Sequence, residues 1–238
     1  GLSFIIVFIF LNVLTHMTKQ KTLRFAFNPK VKYAYIQDSE LLFPVGKVYC
    51  VGRNYTEHAK EMGVNVDTDQ PFFFSKPSQA ITQLASIPFP TQTDNLQHEV
   101  ELVVFLKSEC SNISPSESSQ HIFGYGVGVD LTKRDLQAAA KEASKPWEIS
   151  KGFDNSAPIS KILKKEGLLL SEGDISLKVN GQKKQSGNLS NMIWKVDKLI
   201  SYLSKFITLK AGDIIFTGTP SGVGKLDIND KIEAEIEN

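Results

Sequence analysis

Short apolar runs, interrupted by glycine, proline and polar residues, dominate the hydrophobic pattern of this chain. Such runs predict β-strands, because amphipathic helices instead repeat their apolar residues every three to four positions. We expect a strand pair within about 22–43 and further strands at 45–51, 71–76, 98–107, 124–129, 175–180, 183–187, 209–217 and 231–236. Asn180-Gly181 separates two of these strands and is the strongest short hairpin signal in the sequence.

Three segments of the chain have helical features. Asn54 followed by Glu57 has the pattern of a capping box, which predicts the start of a short helix. We therefore expect helices at about 55–62, 131–144 and 192–206. Many strands with few helices predict an α+β fold and argue against a repeating βαβ unit. No repeat or clear linker interrupts residues 40–238, so this span is predicted to be one domain.

Two carboxylates lie within the most apolar of the predicted strands. Residues two apart on a strand point to the same side, so Glu99 and Glu101 would share a face with Val103. The opposite face carries only apolar side chains, so neither face is suited to water. Because an unpaired buried carboxylate costs on the order of several kcal/mol, a positive charge must lie between the two acids. A hard divalent cation would meet this requirement.

Asp130 offers a third acid at the end of the glycine-rich strand 124–129. Taken alone, Asp130 has the features of an N-cap for the helix that follows. Together with Glu99 and Glu101, it forms a set of three carboxylates without a nearby histidine or cysteine ligand, which favours Mg²⁺ or Mn²⁺ over zinc. Three protein oxygens leave coordination positions for water and substrate, as in a catalytic metal site.

His58 and Glu61 are three residues apart on the short predicted helix and therefore share a face. A carboxylate that accepts a hydrogen bond from one imidazole nitrogen leaves the other nitrogen available as a base toward water. A solvated contact on the helix surface is the alternative interpretation of this pair.

Three polar residues after the third acid are candidates for contacts near the ion. Arg134 and Gln137 are three apart on one predicted helix, and Lys151 follows a Pro-Trp turn. Individually, such residues are more often solvated surface groups. The loop 217–225 lacks the spacing of a phosphate-binding loop, but Thr219 and nearby backbone N–H groups remain candidates to bind an anionic group.

Composition and charge limit the classes of partner. A formal net charge of +1 over 238 residues gives no electrostatic reason to expect nucleic acid or an anionic membrane surface. The two cysteines, Cys50 and Cys110, lie in apolar surroundings and are predicted to be buried free thiols. Free thiols are typical of a reducing compartment, so we expect a cytoplasmic location.

The N-terminus is unusually apolar. Residues 2–14 are shorter than the roughly 20 residues that span a bilayer, and they lack the basic start and cleavage site of a signal peptide. We expect residues 1–20 to be an N-terminal extension and 21–238 to be the catalytic domain. Residues 1–16 are either an upstream extension ahead of a true initiator at Met17, or an added strand or partner-binding arm.

Six stretches of the chain together resemble the fumarylacetoacetate hydrolase family, in its short acylpyruvate hydrolase-like form. Each stretch is a weak signal alone, but they run in family order over about residues 41–238, so the set is specific. The matching stretches are 50–62, 71–77, 98–101, 124–135, 150–153 and 216–224.

The resemblance implies a mixed β-sandwich roll, usually assembled as a homodimer, that binds a small 2-oxo acid. The implied ligands of Mg²⁺ or Mn²⁺ are Glu99, Glu101 and Asp130. The implied catalytic groups are His58 and Glu61, which orient water, and Lys151, which stabilises developing negative charge. The implied substrate-binding residues are Arg53, Arg134, Gln137 and Thr219.

These residues predict a metal-dependent hydrolase that cleaves the C3–C4 bond of a small 2,4-dioxo acid of the acylpyruvate or fumarylpyruvate type. His58 would activate water toward C4, and Lys151 would stabilise the oxyanion. Oxaloacetate decarboxylation or tautomerisation is the nearest alternative, since it passes through a similar enolate without an attacking water. An isomerase or hydratase of aromatic degradation is also open. A 2-oxo acid binding protein without turnover is more distant, because binding alone would not need His58 and Lys151.

Overall fold

The computed structural model describes residues 25–55 and 70–237. The predicted helix at 55–62, with His58 and Glu61, lies outside these residues apart from Tyr55. The chain divides into the units Gly1–Lys30 and Val31–Asn238, and all the elements below belong to the second unit. The predicted boundary at residue 20 also lies outside the described residues and stays a prediction.

Strands outnumber helices in the described part of the chain. The strands are β1 (Tyr33–Tyr35), β2 (Leu42–Pro44), β3 (Val48–Val51), β4 (Phe73–Lys76), β5 (Ile81–Thr82), β6 (Leu96–His98), β7 (Val100–Leu106), β8 (Ile122–Val129), β9 (Thr132–Lys133), β10 (Ala157–Pro158), β11 (Leu163–Lys164), β12 (Asp174–Val179), β13 (Gln182–Asn188), β14 (Ile214–Phe216), β15 (Gly224–Lys225) and β16 (Ile232–Glu237). The α-helices are α1 (Arg134–Glu142), α2 (Glu148–Lys151) and α3 (Val196–Ser204). Short 3₁₀ helices cover Ser78–Ala80, Pro115–His121 and Leu189–Asn191.

A six-stranded mixed sheet forms the centre of the unit, in the order β11-β8-β7-β14-β3-β4. Within it β14 and β3 are parallel, and the other neighbours are antiparallel. Two three-stranded antiparallel sheets, β13-β12-β16 and β15-β6-β9, and the smaller pairs β1-β2 and β5-β10 complete the strand pairing. This arrangement of mixed sheets with few helices is the predicted α+β class.

Strand β7 lies at the middle of the core and is buried on both faces, as its apolar sequence predicts. Val100, Leu102 and Val104 pack into one apolar cluster, which also contains helix α3. Val103 and Phe105 point to the other side, into a second cluster. Glu101 shares this second face, with 1% of its surface exposed. A carboxylate is therefore held in a core strand.

The predicted hairpin at Asn180-Gly181 is confirmed. Strands β12 and β13 pair in antiparallel register on either side of it. Asn180 has a φ of 51° and Gly181 a φ of 76°, the positive values that a type I′ turn requires at both central positions. Both cysteines are buried free thiols, as predicted.

Several predicted elements are shorter than their sequence patterns suggested. The strand predicted at 98–107 is interrupted at Glu99, which joins β6 to β7. The helix predicted at 131–144 begins only at Arg134, because the residues before it pair with β6 as strand β9. The helix predicted at 192–206 begins at Val196, because Lys195 has an extended backbone, with φ −67° and ψ 159°.

Candidate metal centre and substrate cleft

Three strand ends bring the predicted metal ligands together. Glu99 lies at the junction of β6 and β7, Glu101 in β7, and Asp130 directly after β8. The β7–β8 register pairs Val100 with Val129, so the Asp130 N–H reaches the Glu99 carbonyl oxygen at 2.8 Å. One carboxylate oxygen from each acid lies within 4.8 Å of the others, and all three residues are buried.

Lys151 joins two of these acids from helix α2. Its Nζ donates to Glu99 Oε2 at 2.8 Å, to Asp130 Oδ2 at 2.7 Å and to Thr132 Oγ1 at 2.7 Å. Burial lowers the pKa of Lys151, but the charges of Asp130 and Glu99 outweigh burial and hold the pKa above its usual value. Lys151 therefore carries its positive charge in this environment.

Lys76, at the end of β4, approaches Asp130 from the other side. Its Nζ lies 2.8 Å from Asp130 Oδ1 and donates to the backbone carbonyls of Leu131 at 3.2 Å, Ser156 at 3.1 Å and Lys151. No donor within 25–55 or 70–237 makes a well-aligned hydrogen bond to Asp130 Oδ1. One buried carboxylate oxygen of the cluster therefore has a nearby charge but no directed partner.

Glu101 has the least compensation of the three acids. Its Oε2 accepts a hydrogen bond of 2.7 Å from the backbone N–H of Gly218. Burial, followed by the negative charges of Asp130 and Glu99, raises the pKa of Glu101 well above its usual value. A nearby cation would stabilise the ionised form of Glu101, because its charge would offset both the burial and the negative charges of the neighbouring acids.

The cluster fits a hard divalent ion. Its ligands would be carboxylate oxygens, the type that Mg²⁺ and Mn²⁺ prefer. Asp130 Oδ1, which has an ion pair but no hydrogen-bond donor, and the poorly compensated Glu101 are the acceptors available to the ion. Arg134 and Lys151 already pair with Glu99, so an ion would share its acids with these cations. Cationic side chains therefore compensate Glu99 and Asp130, whereas the positive charge that the sequence argument requires between Glu99 and Glu101 stays a prediction.

A cleft adjoins the cluster at Glu99 and Lys151, and its empty space, part of which is open solvent, is about 290 Å³. Among its lining residues, Glu99 is the one acid, and four are cations. The residues that line it are Gly52, Arg53, Phe74, Glu99, Arg134, Gln137, Lys141, Trp147 and Lys151. Four predicted site residues outside the metal set (Arg53, Arg134, Gln137 and Lys151) thus meet at one cleft.

Side chains from the first turn of helix α1 line this cleft. The Arg134 guanidinium donates to Gln97 Oε1 at 2.7 Å, to Gln137 Oε1 at 2.6 Å and to Glu99 Oε1. Asp135, beside it, anchors the start of the helix by accepting hydrogen bonds from Thr93 Oγ1 at 2.6 Å and from the Asp94 N–H at 2.9 Å. The arginine is therefore held in a fixed position at the edge of the cluster.

Thr219 is placed differently from the other predicted substrate-binding residues. It is buried, and its hydroxyl oxygen accepts a 2.8 Å hydrogen bond from Gln185 Nε2. Gln185 Oε1 in turn accepts from the Val100 N–H at 3.0 Å and contacts His98 Nδ1 at 2.8 Å. Thr219 is not among the cleft-lining residues. Its role in substrate binding stays a prediction, as do the roles of His58 and Glu61 outside the described residues.

Sequence reasoning missed Lys76, Thr132 and Lys141. Two of them had a detectable signal: Lys76 ends an apolar strand on the same face as Phe74, and Lys141 lies four residues after Gln137, on the same helix face. Thr132 had no signal, because only the three-dimensional pairing of β9 brings its hydroxyl to Lys151.

Known proteins are similar to this chain in both sequence and fold. Residues 47–238 match the family model described as fumarylacetoacetate (FAA) hydrolase C-terminal. The oxaloacetate tautomerase YcgM of Escherichia coli K12 is 43% identical over 207 residues, which cover 84% of this chain and 93% of that protein. The mitochondrial oxaloacetate tautomerase FAHD1 of Homo sapiens is 42% identical over 191 residues, covering 79% of this chain and 86% of the relative.

The structural likeness is equally extensive. The crystal structure of fumarylpyruvate hydrolase from Pseudomonas aeruginosa, in complex with Mn²⁺ and pyruvate, superposes with a TM-score of 0.87 at 39% identity, covering 90% of this chain and 94% of that one. The predicted fold class is confirmed by this match, and so is the predicted resemblance. The chain belongs to the fumarylacetoacetate hydrolase family.

Proposed function

We propose that this protein is a Mg²⁺- or Mn²⁺-dependent tautomerase that interconverts the enol and keto forms of oxaloacetate. The observation that carries this proposal is the buried cluster of Glu99, Glu101 and Asp130, in which Lys151 binds Glu99 and Asp130 and, with Glu99, lines a cationic cleft. Two of its relatives at 42–43% identity are named oxaloacetate tautomerases. Tautomerisation is the nearest alternative to the hydrolysis that the sequence predicts.

Tautomerisation moves one proton between C3 and the oxygen on C2 of the substrate. A divalent ion held by the three acids would act as a Lewis acid toward the 2-oxo group. Arg134, already fixed by Gln97 and Gln137, would bind the adjacent carboxylate as a planar guanidinium. As the C3 proton passes to a water molecule in the cleft, the charged Nζ of Lys151 would stabilise the negative charge on the C2 oxygen, which then takes a proton from water to complete the enol.

Hydrolysis of an acylpyruvate is the second candidate. It is favoured by the fumarylpyruvate hydrolase whose structure matches this chain with a TM-score of 0.87, and by the His58-Glu61 pattern in the sequence. In this reaction His58, oriented by Glu61, takes a proton from water that attacks the C4 carbonyl. The C3–C4 bond then breaks, and its electron pair forms the enolate of pyruvate, whose charge Lys151 would stabilise.

A single substrate panel distinguishes these reactions. Oxaloacetate enol and fumarylpyruvate are each given to the Mg²⁺- or Mn²⁺-loaded protein, and the enol absorbance, pyruvate and carbon dioxide are followed. We expect faster loss of the enol of oxaloacetate without release of either product. Pyruvate from fumarylpyruvate alone would support the hydrolase, and carbon dioxide from oxaloacetate would support a decarboxylase.

The ligand assignment has its own test. Glu99→Ala and Asp130→Ala should lose bound metal and turnover together, whereas His58→Ala should retain the metal and slow only a hydrolytic reaction. Full metal-dependent activity in either of the first two variants would overturn the assignment of the three acids.

Assembly and location stay predictions. The described residues contain no helix that is long and apolar enough to cross a membrane. A homodimer and a cytoplasmic location are consistent with the sequence, although the related human protein is named as mitochondrial. A small 2-oxo acid is the partner that the cleft supports.

A further inference from the structure

Lys141 lies in the last turn of helix α1, and its side chain lines the cleft. Arg134, Gln137 and Lys141 are spaced three and four residues apart, which places them along one helix face. All three line the cleft. The Lys141 ammonium lies 5.1 Å from the centre of the Trp147 ring, which also lines the cleft, so the aromatic face holds this cation at the wall.

The cations of the cleft differ in their partners. Arg134 and Lys151 each pair with Glu99. Lys141 and Arg53 have no carboxylate within ion-pairing distance among the residues that the structure describes. Burial lowers the pKa of Lys141, and the positive charges of Arg134 and Arg53 lower it further. A second negative charge on a ligand would therefore be favourable at this wall.

We propose that Lys141 binds the second carboxylate of the substrate and makes the cleft selective for 2-oxo dicarboxylates over 2-oxo monocarboxylates. This inference rests on the proposed function. Arg134 and the acid cluster would take the 2-oxo carboxylate end of the substrate. Arg134 and Lys141 are seven positions apart, or about 10 Å along the helix axis, and because both long side chains line the same cleft, their charged ends can contact one small dianion.

Two ligands of nearly the same shape test the role of Lys141. Oxaloacetate and 2-oxobutyrate share the 2-oxo carboxylate and differ in their far end, where one has a carboxylate and the other a methyl group. The KM of oxaloacetate and the inhibition constant of 2-oxobutyrate are measured in one tautomerase assay, and equilibrium binding of both is measured by calorimetry.

Lys141→Met should weaken oxaloacetate about ten- to hundredfold, as expected for the loss of a charge-assisted hydrogen bond, and should leave 2-oxobutyrate within about threefold. Lys141→Arg should recover most of the affinity for oxaloacetate. Lys145→Met is the matched control, since Lys145 is exposed on the same segment and does not line the cleft. It should change neither ligand.

The outcomes separate this proposal from the proposed function. Equal weakening of both ligands by Lys141→Met, or no weakening of oxaloacetate, would overturn the role of Lys141. If the wild type binds oxaloacetate without tautomerising it, the proposed function fails, and the binding comparison still decides the role of Lys141. Retained binding of 2-oxobutyrate shows that the variant is folded.

Discussion

Two buried lysines contact the same carboxylate but have different surroundings. Lys76 and Lys151 each lie within 2.8 Å of an Asp130 oxygen, and their side chains are 0% and 3% exposed. The other partners of Lys76 are backbone carbonyls. Those of Lys151 are the side chains of Glu99 and Thr132, and Lys151 lines the cleft, which Lys76 does not.

From the difference in partners we infer a structural role for Lys76 and a catalytic role for Lys151. Backbone carbonyls cannot leave their positions without moving the chain, so Lys76 fixes three backbone segments around Asp130. Carboxylates and a hydroxyl can exchange Lys151 for an ion or a substrate oxygen by side-chain rotation alone. Both lysines are buried, so the kind of acceptor is the observation on which the proposed catalytic role of Lys151 rests.

Replacing Lys151 should have the largest effect on turnover. Lys151→Met removes the cation that we propose stabilises the C2 oxygen, and we expect a loss of about 10³-fold in kcat, the scale found for removing one donor at a developing oxyanion. Metal binding should persist, because the three acids remain. The measurement combines steady-state kinetics with metal analysis of the purified variant.

Lys107→Met is a suitable control, since Lys107 pairs with Glu166 at 2.6 Å in a partly exposed position. It should retain wild-type kinetics. A Lys151→Met variant with more than a tenth of the wild-type kcat would contradict the role given to Lys151.

Replacing Lys76 should instead reduce stability. Lys76→Met removes one hydrogen bond from each of three carbonyls, two of which keep another donor. It also leaves Asp130 without one buried counter-charge, and breaking such a pair costs about 3–5 kcal/mol. We expect a fall of this size in the free energy of unfolding, measured by denaturant titration of the metal-loaded protein. The kcat of the molecules that remain folded should stay within about tenfold of the wild type, a small effect beside that of Lys151→Met.

Local patterns in the sequence predicted the groups that lie on one strand or one helix face. Glu99 and Glu101 followed from alternation, and Arg134 and Gln137 followed from helical spacing; the structure brings all four to one cleft or cluster. Thr132 could not be predicted in this way, because its contact with Lys151 spans separate elements and depends on the pairing of β9 with β6.

The family resemblance supplied what local patterns could not. It joined Arg53 from the first matching stretch to residues about 80 positions later, and both line the cleft. It ranked hydrolysis ahead of tautomerisation, an order that the proposed function reverses on the basis of relatives named oxaloacetate tautomerases. The choice depends on the His58 segment and on the far end of the substrate.

Metal binding should distinguish the two lysines, because each pairs with acids that would hold the ion. A ligand that binds only the folded state stabilises it by about 2.7 kcal/mol at a concentration of 100 times its Kd, so Mn²⁺ should raise the unfolding midpoint of the wild type. Lys151 contacts two of the three acids and Lys76 one. Lys151→Met should therefore tighten Mn²⁺ binding more than Lys76→Met does, in a direct titration. Equal affinities in the two variants would mean that both lysines oppose the ion alike.

The smallest expected effect concerns the hydroxyl that holds Lys151. Thr132 Oγ1 accepts from Lys151 Nζ at 2.7 Å, and the same hydroxyl donates to the Asp130 carbonyl oxygen at 3.2 Å. Thr132→Val keeps the shape and removes both bonds, which should cost about 1.5 kcal/mol, the lower range for a hydrogen bond to a charged group. We expect kcat to fall about tenfold with little change in Mn²⁺ affinity, whereas Thr132→Ser should retain activity. If the serine variant lost as much activity as the valine variant, packing of the methyl group and not the hydroxyl would be what positions Lys151.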